Sequence, residues 1–382
     1  MKENPHIIFI HKEFPFSGAE KVTCATANFL CANGYNVTIL AAKHNEDFYP
    51  QSFKRRFEVV LLPNDRVKTS KAVARYVRDF IIGNGVRILV TYRELLYAKW
   101  IKAKTNVKVV FHLHNSPFYE FLDIEDKKSQ KHWVKLIYNC GLQWFLTQFY
   151  ESKYRRVYGW TDAYGVLCKG YRQIIIDKLQ LPTENKVWVL PNSIETATAI
   201  NWKKQKEIVY VGRLNRRDKR VDRLLHIWKL AQPEMPGWSL KIVGEGRDKA
   251  NLQALSSYLQ LKNISFEGQT SNVQRYYDEA AILCLTSTFE GWPMVVAEAQ
   301  SNGVIPIVYD SFLGAKEMIS TENEGVLVAP FDEQAYAEAL VHLTLEPQRL
   351  ERMRRFVVQK AKNYSIQRTG EAWMKMLCDL LK

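Results

Sequence analysis

Short apolar runs alternate with longer stretches whose apolar residues recur at helical spacing, along almost the whole chain. In the first half the runs are "HIIFI" (6–10), "YNVTIL" (35–40), "RILVTY" (87–92), "VKVVFHLH" (107–114), "AYGVLC" (163–168) and "VWVLP" (187–191). In the second half they are "EIVYVG" (207–212), "SLKIVG" (239–244), "ISFEG" (264–268), "AILCLTS" (281–287), "VIPIVY" (304–309) and "GVLVA" (325–329). Near-continuous apolar strands separated by helices are the pattern of parallel sheets covered on both faces. Two such series predict an α/β protein of two Rossmann-like, doubly wound domains. The polar stretch "PNSIETATAINWKK" places the boundary, giving domains 1–195 and 196–365, followed by an amphipathic helix in 366–382 expected to pack back on the N-terminal domain.

Segment 131–160 breaks the alternation. It holds no proline and is dense in Trp, Tyr, Phe, Lys and Arg. Two compatible readings apply: a crossover helix whose apolar side packs on the first sheet, or a helix with an aromatic and basic face that lies on a membrane surface.

A chain of 382 residues, 47% hydrophobic and 25% charged, is long enough for two cores. The formal charge of +14 is uneven, with 29 Lys and Arg against 18 Asp and Glu in residues 1–200. The basic excess therefore belongs to the first half, where an acidic substrate, an anionic membrane or nucleic acid would each suit it. The basic residues form no RNA-binding or helix-turn-helix motif, which argues against a nucleic-acid partner. The six cysteines form no C-x-x-C pair and no zinc spacing, as expected of free thiols in a reducing cytoplasm. "HIIFI" is too short for a secretory leader, and no run of 18 apolar residues suggests a spanning helix.

Ligands of doubly wound sheets sit beyond the carboxyl ends of the strands, and the chain's polar motifs fall there. Gly18 in "HKEFPFSGAEK" stands before a helix whose free N–H groups suit an anion. In "VGRLNRRDKRVDRLL", Arg213 follows a strand and Lys219 precedes a helix, a placement that suits a diphosphate. His112 and His114 have strand spacing and so share a face. In "FEGWPMVVAEA", Glu290 follows a strand. Pro293 fits the first helical position, and Glu298 falls in the second turn beside Met294 and Val295. A carboxylate on that apolar face requires a partner, and paired carboxylates suggest acid/base work.

These residues together resemble the retaining glycosyltransferases of family four, which have the two-domain GT-B architecture with Rossmann-like domains facing a cleft. The resemblance rests on E-x7-E at Glu290 and Glu298, on "VGRL" with Lys219, on "VLPNSI" (189–194), "KIVGEG" (241–246) and the late "NYSIQRTGEAW". The family's paired glycines are Ser17 and Gly18 here, and its Lys-Gly is Lys219-Arg220.

The resemblance implies hexosyl transfer from a UDP-sugar or GDP-sugar to a saccharide or lipid-linked acceptor in cell-surface polysaccharide or lipopolysaccharide synthesis, at the inner face of the plasma membrane, with the anomer retained. It implies no metal and no cofactor. The N-terminal domain would bind the acceptor and the C-terminal domain the nucleotide-sugar. Glu290 and His114 would lie at the reacting sugar, and Glu298 would bond ribose hydroxyls. Gly18, Arg213, Lys219 and the N–H groups of Met294 and Val295 would hold sugar and phosphates. A nucleotide-sugar 2-epimerase shares the fold and is the alternative enzyme class; it would need acid/base carboxylates in the first domain.

Overall fold

The computed structural model describes residues 5–15, 18–46, 53–118, 143–182 and 185–382, with the backbone alone for 143–147. The chain divides into two compact units. Met1–Ser193 joins Ile366–Lys382 in unit 1, and Ile194–Ser365 makes unit 2.

In unit 1 the strands are β1 (His6–Phe14), β2 (Asn36–His44), β3 (Glu58–Leu61), β4 (Val86–Thr91), β5 (Lys108–His112), β6 (Ala163–Val166) and β7 (Val187–Val189). They form one sheet in the order β3-β2-β1-β4-β5-β6-β7, and every pair is parallel. The order reverses beside β1, between β1 and β4, which is where such folds bind ligands. Alternation along β1 feeds two cores. Ile7 and Phe9 join Ala27, Leu30, Trp373, Met376 and Leu377 on one face. Ile8 and Ile10 join Val73, Val77, Ile81 and Ile101 on the other.

β3 is a strand that the apolar pattern did not reveal. It has four residues, EVVL, none of them fully buried, at the edge of the sheet. An edge position needs fewer apolar residues than a central one, so it leaves a weak trace. β1 and β2 run several residues beyond the apolar stretches at 6–10 and 35–40, through the polar residues at their carboxyl ends.

The helix Ile366–Leu381 belongs to unit 1 and buries Thr369, Gly370, Trp373, Met376 and Leu377. Gly370 lies so close to the Phe29 ring of the Gly18–Ala32 helix that an added methyl would overlap it. The helix Gln143–Trp160 is likewise seated on unit 1. Tyr154 and Val157 are buried, and Arg156 donates twice to Glu94, at 2.9 and 2.6 Å. This is the crossover-helix reading for that part; residues 131–142 of the aromatic and basic segment lie outside the described residues.

Unit 2 contains β8 (Glu207–Val211), β9 (Ser239–Val243), β10 (Ile264–Gly268), β11 (Ile282–Leu285), β12 (Ile305–Tyr309) and β13 (Val326–Val328). Their order is β10-β9-β8-β11-β12-β13, again all parallel. Here β8 and β11 flank the reversal. Ile194 and Ser365, at the two ends of unit 2, form a parallel bridge, so the chain enters and leaves this unit side by side.

Candidate active site

The loops that follow β8 and β11 are tied together. Thr288 N–H donates to the Asp218 carbonyl at 2.8 Å, and Thr286 Oγ1 donates to the Arg220 carbonyl at 3.0 Å. The neighbouring loop after β9 presses on them. Gly244 has a φ of 141° and packs against the Gly212 carbonyl, where any side chain would collide.

This scaffold brings Lys219 and Glu290 together across 71 residues of sequence. Lys219 Nζ donates to Glu290 Oε1 at 2.6 Å, and both side chains are mostly shielded from solvent. Ser287 Oγ donates to the same carboxylate oxygen at 2.6 Å. Ser287 is itself fixed by Ser311, whose hydroxyl donates to the Ser287 carbonyl at 2.9 Å. Trp292 stacks edge-on against Tyr364, with centroids 4.8 Å apart, and holds the loop before the helix.

Arg213 stands in a different situation. Its side chain is 74% exposed and meets Asp218 at 3.2 Å. Arg216 and Arg220 both turn to the buried Asp222, Arg220 with two nitrogens. The cations of this loop that lie at the sheet edge are therefore organised by carboxylates, a feature that residue spacing did not reveal.

The helix Met294–Ser301 starts one residue later than its sequence suggests. Pro293 is the cap, with φ −72° and an extended ψ of 99°, and Met294 is the first helical residue. Val296, Ala297 and Ala299 are buried, whereas Met294, Val295 and Glu298 are half-buried. Glu298 has a protein partner: the hydroxyl of Tyr277 donates to its Oε2 at 3.0 Å. Burial, and then the Glu298 charge, push the Tyr277 phenol well above its ordinary pKa, so it stays a donor. Tyr277 was missed at the sequence level because it comes from the short helix Gln274–Glu279, with no motif to mark it.

In unit 1, Gly18 is the first residue of the Gly18–Ala32 helix. His112 closes β5, and His114 follows two residues later; their rings lie 4.3 Å apart. The Nε2 of His112 sits 3.0 Å from the Leu190 carbonyl. Burial lowers the His112 pKa to about 4, with the Leu190 bond opposing. Burial, then His112 and His11, hold His114 well below 6.5, with Asn192 pulling the other way. Both rings are neutral near pH 7. Among the described residues no group of three or more His, Cys, Asp or Glu is placed to hold a metal ion.

Two Rossmann-like units, one carrying cations and carboxylates at the carboxyl edge of its central strands, have the GT-B architecture, and the family matches make the chain a glycosyltransferase. Residues 2–198 match the model of Glycosyltransferase Family 4, and residues 193–360 match that of Glycosyl transferases group 1. The chain belongs to Glycosyltransferase Family 4.

It is 24% identical over 365 residues to an uncharacterized glycosyltransferase of Haemophilus influenzae, covering 94% of this chain and 96% of the relative. It is also 24% identical over 387 residues to a Campylobacter jejuni enzyme, covering 98% of each. That enzyme is named GalNAc-alpha-(1->4)-GalNAc-alpha-(1->3)-diNAcBac-PP-undecaprenol alpha-1,4-N-acetyl-D-galactosaminyltransferase. Among solved structures, the lipopolysaccharide outer core galactosyltransferase WaaB in its apo form superposes with a TM-score of 0.70. It is 19% identical, and the match covers 98% of this chain and 99% of that one. Anabaena Alr3699/HepE in complex with UDP and glucose superposes with a TM-score of 0.76, at 13% identity, covering 98% and 100%.

Proposed function

We propose that this glycosyltransferase moves a hexosyl group from a UDP-sugar or GDP-sugar to a lipid-linked saccharide, with retention at the anomeric carbon and without a metal ion. The observation that carries the reading is the Lys219–Glu290–Ser287 arrangement beside Arg213, at the carboxyl edge of β8 and β11. In this reading Lys219 and Arg213 bind the diphosphate and neutralise the charge that grows on it as the glycosidic bond breaks. Two protein cations supply the role that a divalent ion plays in other nucleotide-sugar enzymes.

Glu298, steadied by Tyr277, accepts from the ribose hydroxyls. Glu290 accepts from a hydroxyl of the transferred sugar, and the N–H groups of Met294 and Val295 at the helix N-terminus face sugar and phosphate. His114 lies on the sugar side. No side chain acts as a nucleophile. The acceptor attacks on the face the diphosphate leaves, and the leaving phosphate takes the proton. Unit 1 binds the acceptor and unit 2 the nucleotide-sugar. The undecaprenol-linked saccharide in the name of the Campylobacter relative supports a lipid-linked acceptor. UDP in the structure of HepE supports a uridine donor.

Thermal shift with UDP-, GDP- and ADP-sugars identifies the donor. Proton NMR of the first product formed from that donor, with and without EDTA, then tests the chemistry. The expected product keeps the donor's anomeric configuration and forms at the same rate with EDTA. An inverted anomer or loss of activity with EDTA overturns the mechanism.

A further inference from the structure

Tyr277, the partner of Glu298, comes from a helix of six residues, Gln274–Glu279, in unit 2. Fewer than two turns of helix do not hold their shape unaided, and their last carbonyls have no partner inside the helix. What fixes Tyr277 therefore lies outside its own element. At the start of the helix, Gln274 Nε2 donates to Asn302 Oδ1 at 2.5 Å, and Asn302 Nδ2 donates to the Glu298 carbonyl at 2.9 Å. At the end, the segment before β8 closes on the helix. Asn201 Nδ2 donates to the Asp278 carbonyl at 3.0 Å, and the Gln205 N–H donates to the Glu279 carbonyl at 2.8 Å. Lys204 lies between these two residues in sequence. Its Nζ donates to the Tyr277 carbonyl at 2.6 Å and to the Asp278 carbonyl at 3.2 Å.

Of the three donors at the helix end, only Lys204 is charged, and it is half-buried. Burial lowers its pKa to about 8; the Asp278 charge raises it, and Arg354 of the Pro347–Ala361 helix lowers it further. A lowered lysine pKa means that folding works against the charge, so the ammonium is a poor source of stability. Its geometry gives it a different effect. A cation at the carboxyl end of a helix is attracted to the last carbonyls, and here one of the two it bonds belongs to Tyr277. The ammonium thus fixes the backbone from which the phenol reaches Glu298 Oε2 at 3.0 Å. A shift of about 1 Å at that backbone would carry the two oxygens out of hydrogen-bonding range.

We infer that Lys204 is a positioning residue for the donor: by holding the Tyr277 backbone it keeps the Tyr277 hydroxyl on Glu298, and so aims the carboxylate that meets the ribose. This rests on the reading of Glu298 as the acceptor for ribose hydroxyls, and it extends that site to a residue that touches no part of the donor.

The test is calorimetric titration of the intact protein with UDP and GDP, and with the 2′,3′-dideoxyribose analogue of whichever binds. Wild type is expected to bind the analogue at least tenfold more weakly, the scale of lost hydrogen bonds to a carboxylate. Lys204→Met is expected to bind the nucleotide about fivefold more weakly, the scale of one hydrogen bond, and the analogue as wild type does. Lys204→Arg, which keeps a cation on a long stem, should restore most of the loss. Tyr277→Phe should lose at least as much as Lys204→Met, and adding Lys204→Met to it should cost nothing more, because the path to the ribose is already cut. If Lys204→Met does not fold, Lys204→Gln takes its place with the same pattern expected at smaller size. Nucleotide and analogue weakened equally, or losses that add in the double variant, overturn the inference and leave Lys204 a structural residue. A wild type that binds the analogue as tightly as the nucleotide overturns the ribose reading of Glu298, and the inference with it. Binding of neither UDP nor GDP to wild type overturns the donor site itself.

Discussion

Lys219 and Arg213 stand in the same loop and are expected to separate on mutation. On the proposed donor site each gives the diphosphate a charged hydrogen bond, so either alanine variant should weaken UDP or GDP binding by about 1.5–3 kcal/mol in calorimetric titration. Their effects on folding differ. Arg213→Ala removes an exposed side chain and should leave the melting temperature unchanged. Lys219→Ala strips a shielded carboxylate of its cation and should lower it. The two glutamates divide in steady-state kinetics. Glu298→Gln, and more mildly Tyr277→Phe, should raise the donor KM, whereas Glu290→Gln should lower kcat more than it raises KM. Equal effects from both glutamates would contradict the assignment.

Residues also set a pH dependence. His112 titrates near 6.5 when unfolded and near 4 when folded, so the unfolded chain binds the extra proton first. Its contribution to stability is intact above about pH 6.5, erodes as pH falls, and is fully lost below about pH 4, a change of order 3 kcal/mol. Urea melts across that range should show the loss, and His112→Gln should make it shallower, leaving the part due to His114 and His11. Single residues were also where the sequence was most and least informative. Glu290 and Glu298 stand out because their spacing lies within one strand–loop–helix segment. Tyr277, Ser287 and Lys204 do not, because what makes them matter is a partner brought close by the fold, and one tyrosine or lysine looks like any other.

Among the elements, the Ile366–Leu381 helix is the one whose loss is most readily measured. Its pattern tells that one face is buried, but nothing in it names Phe9, Phe29 and His112 as the neighbours. Trp373 packs against Phe9 and His112, with centroids at 6.0 and 5.2 Å. Trp373→Ala should destabilise unit 1 by about 3–5 kcal/mol, read as a fall in its denaturation midpoint. Gly370→Leu should also destabilise, because the two helices meet there without room for a side chain. The strands were legible where both faces are buried, as in β11 and β12, and illegible in β3, where the edge relaxes the demand for apolar residues.

On the scale of the whole molecule the charge is the leading feature. Residues 1–200 carry most of the excess behind the net +14, and Phe149 is exposed on the Gln143–Trp160 helix. No helix among the described residues is long and apolar enough to cross a membrane. The protein is expected to bind anionic phospholipid vesicles in flotation assays and to release them as salt rises, since surface attraction is screened within about 8–10 Å. Equal, weak binding to neutral and anionic vesicles would remove this expectation and leave the enzyme assignment untouched.

Unit 2 is one uninterrupted segment whose ends meet at the Ile194–Ser365 bridge, whereas unit 1 takes the helix that carries Trp373 from beyond that segment. Synthesis runs in one direction, so the order of assembly on the ribosome differs from the order in the sequence. The first sheet emerges with the Gly18–Ala32 helix on Phe9's face but without Trp373, Met376 and Leu377, and must wait while all of unit 2 is made. Unit 2 holds everything its own core needs and can close first. The sheet that precedes unit 2 in the sequence is thus completed only after unit 2, when the Ile366–Leu381 helix is made.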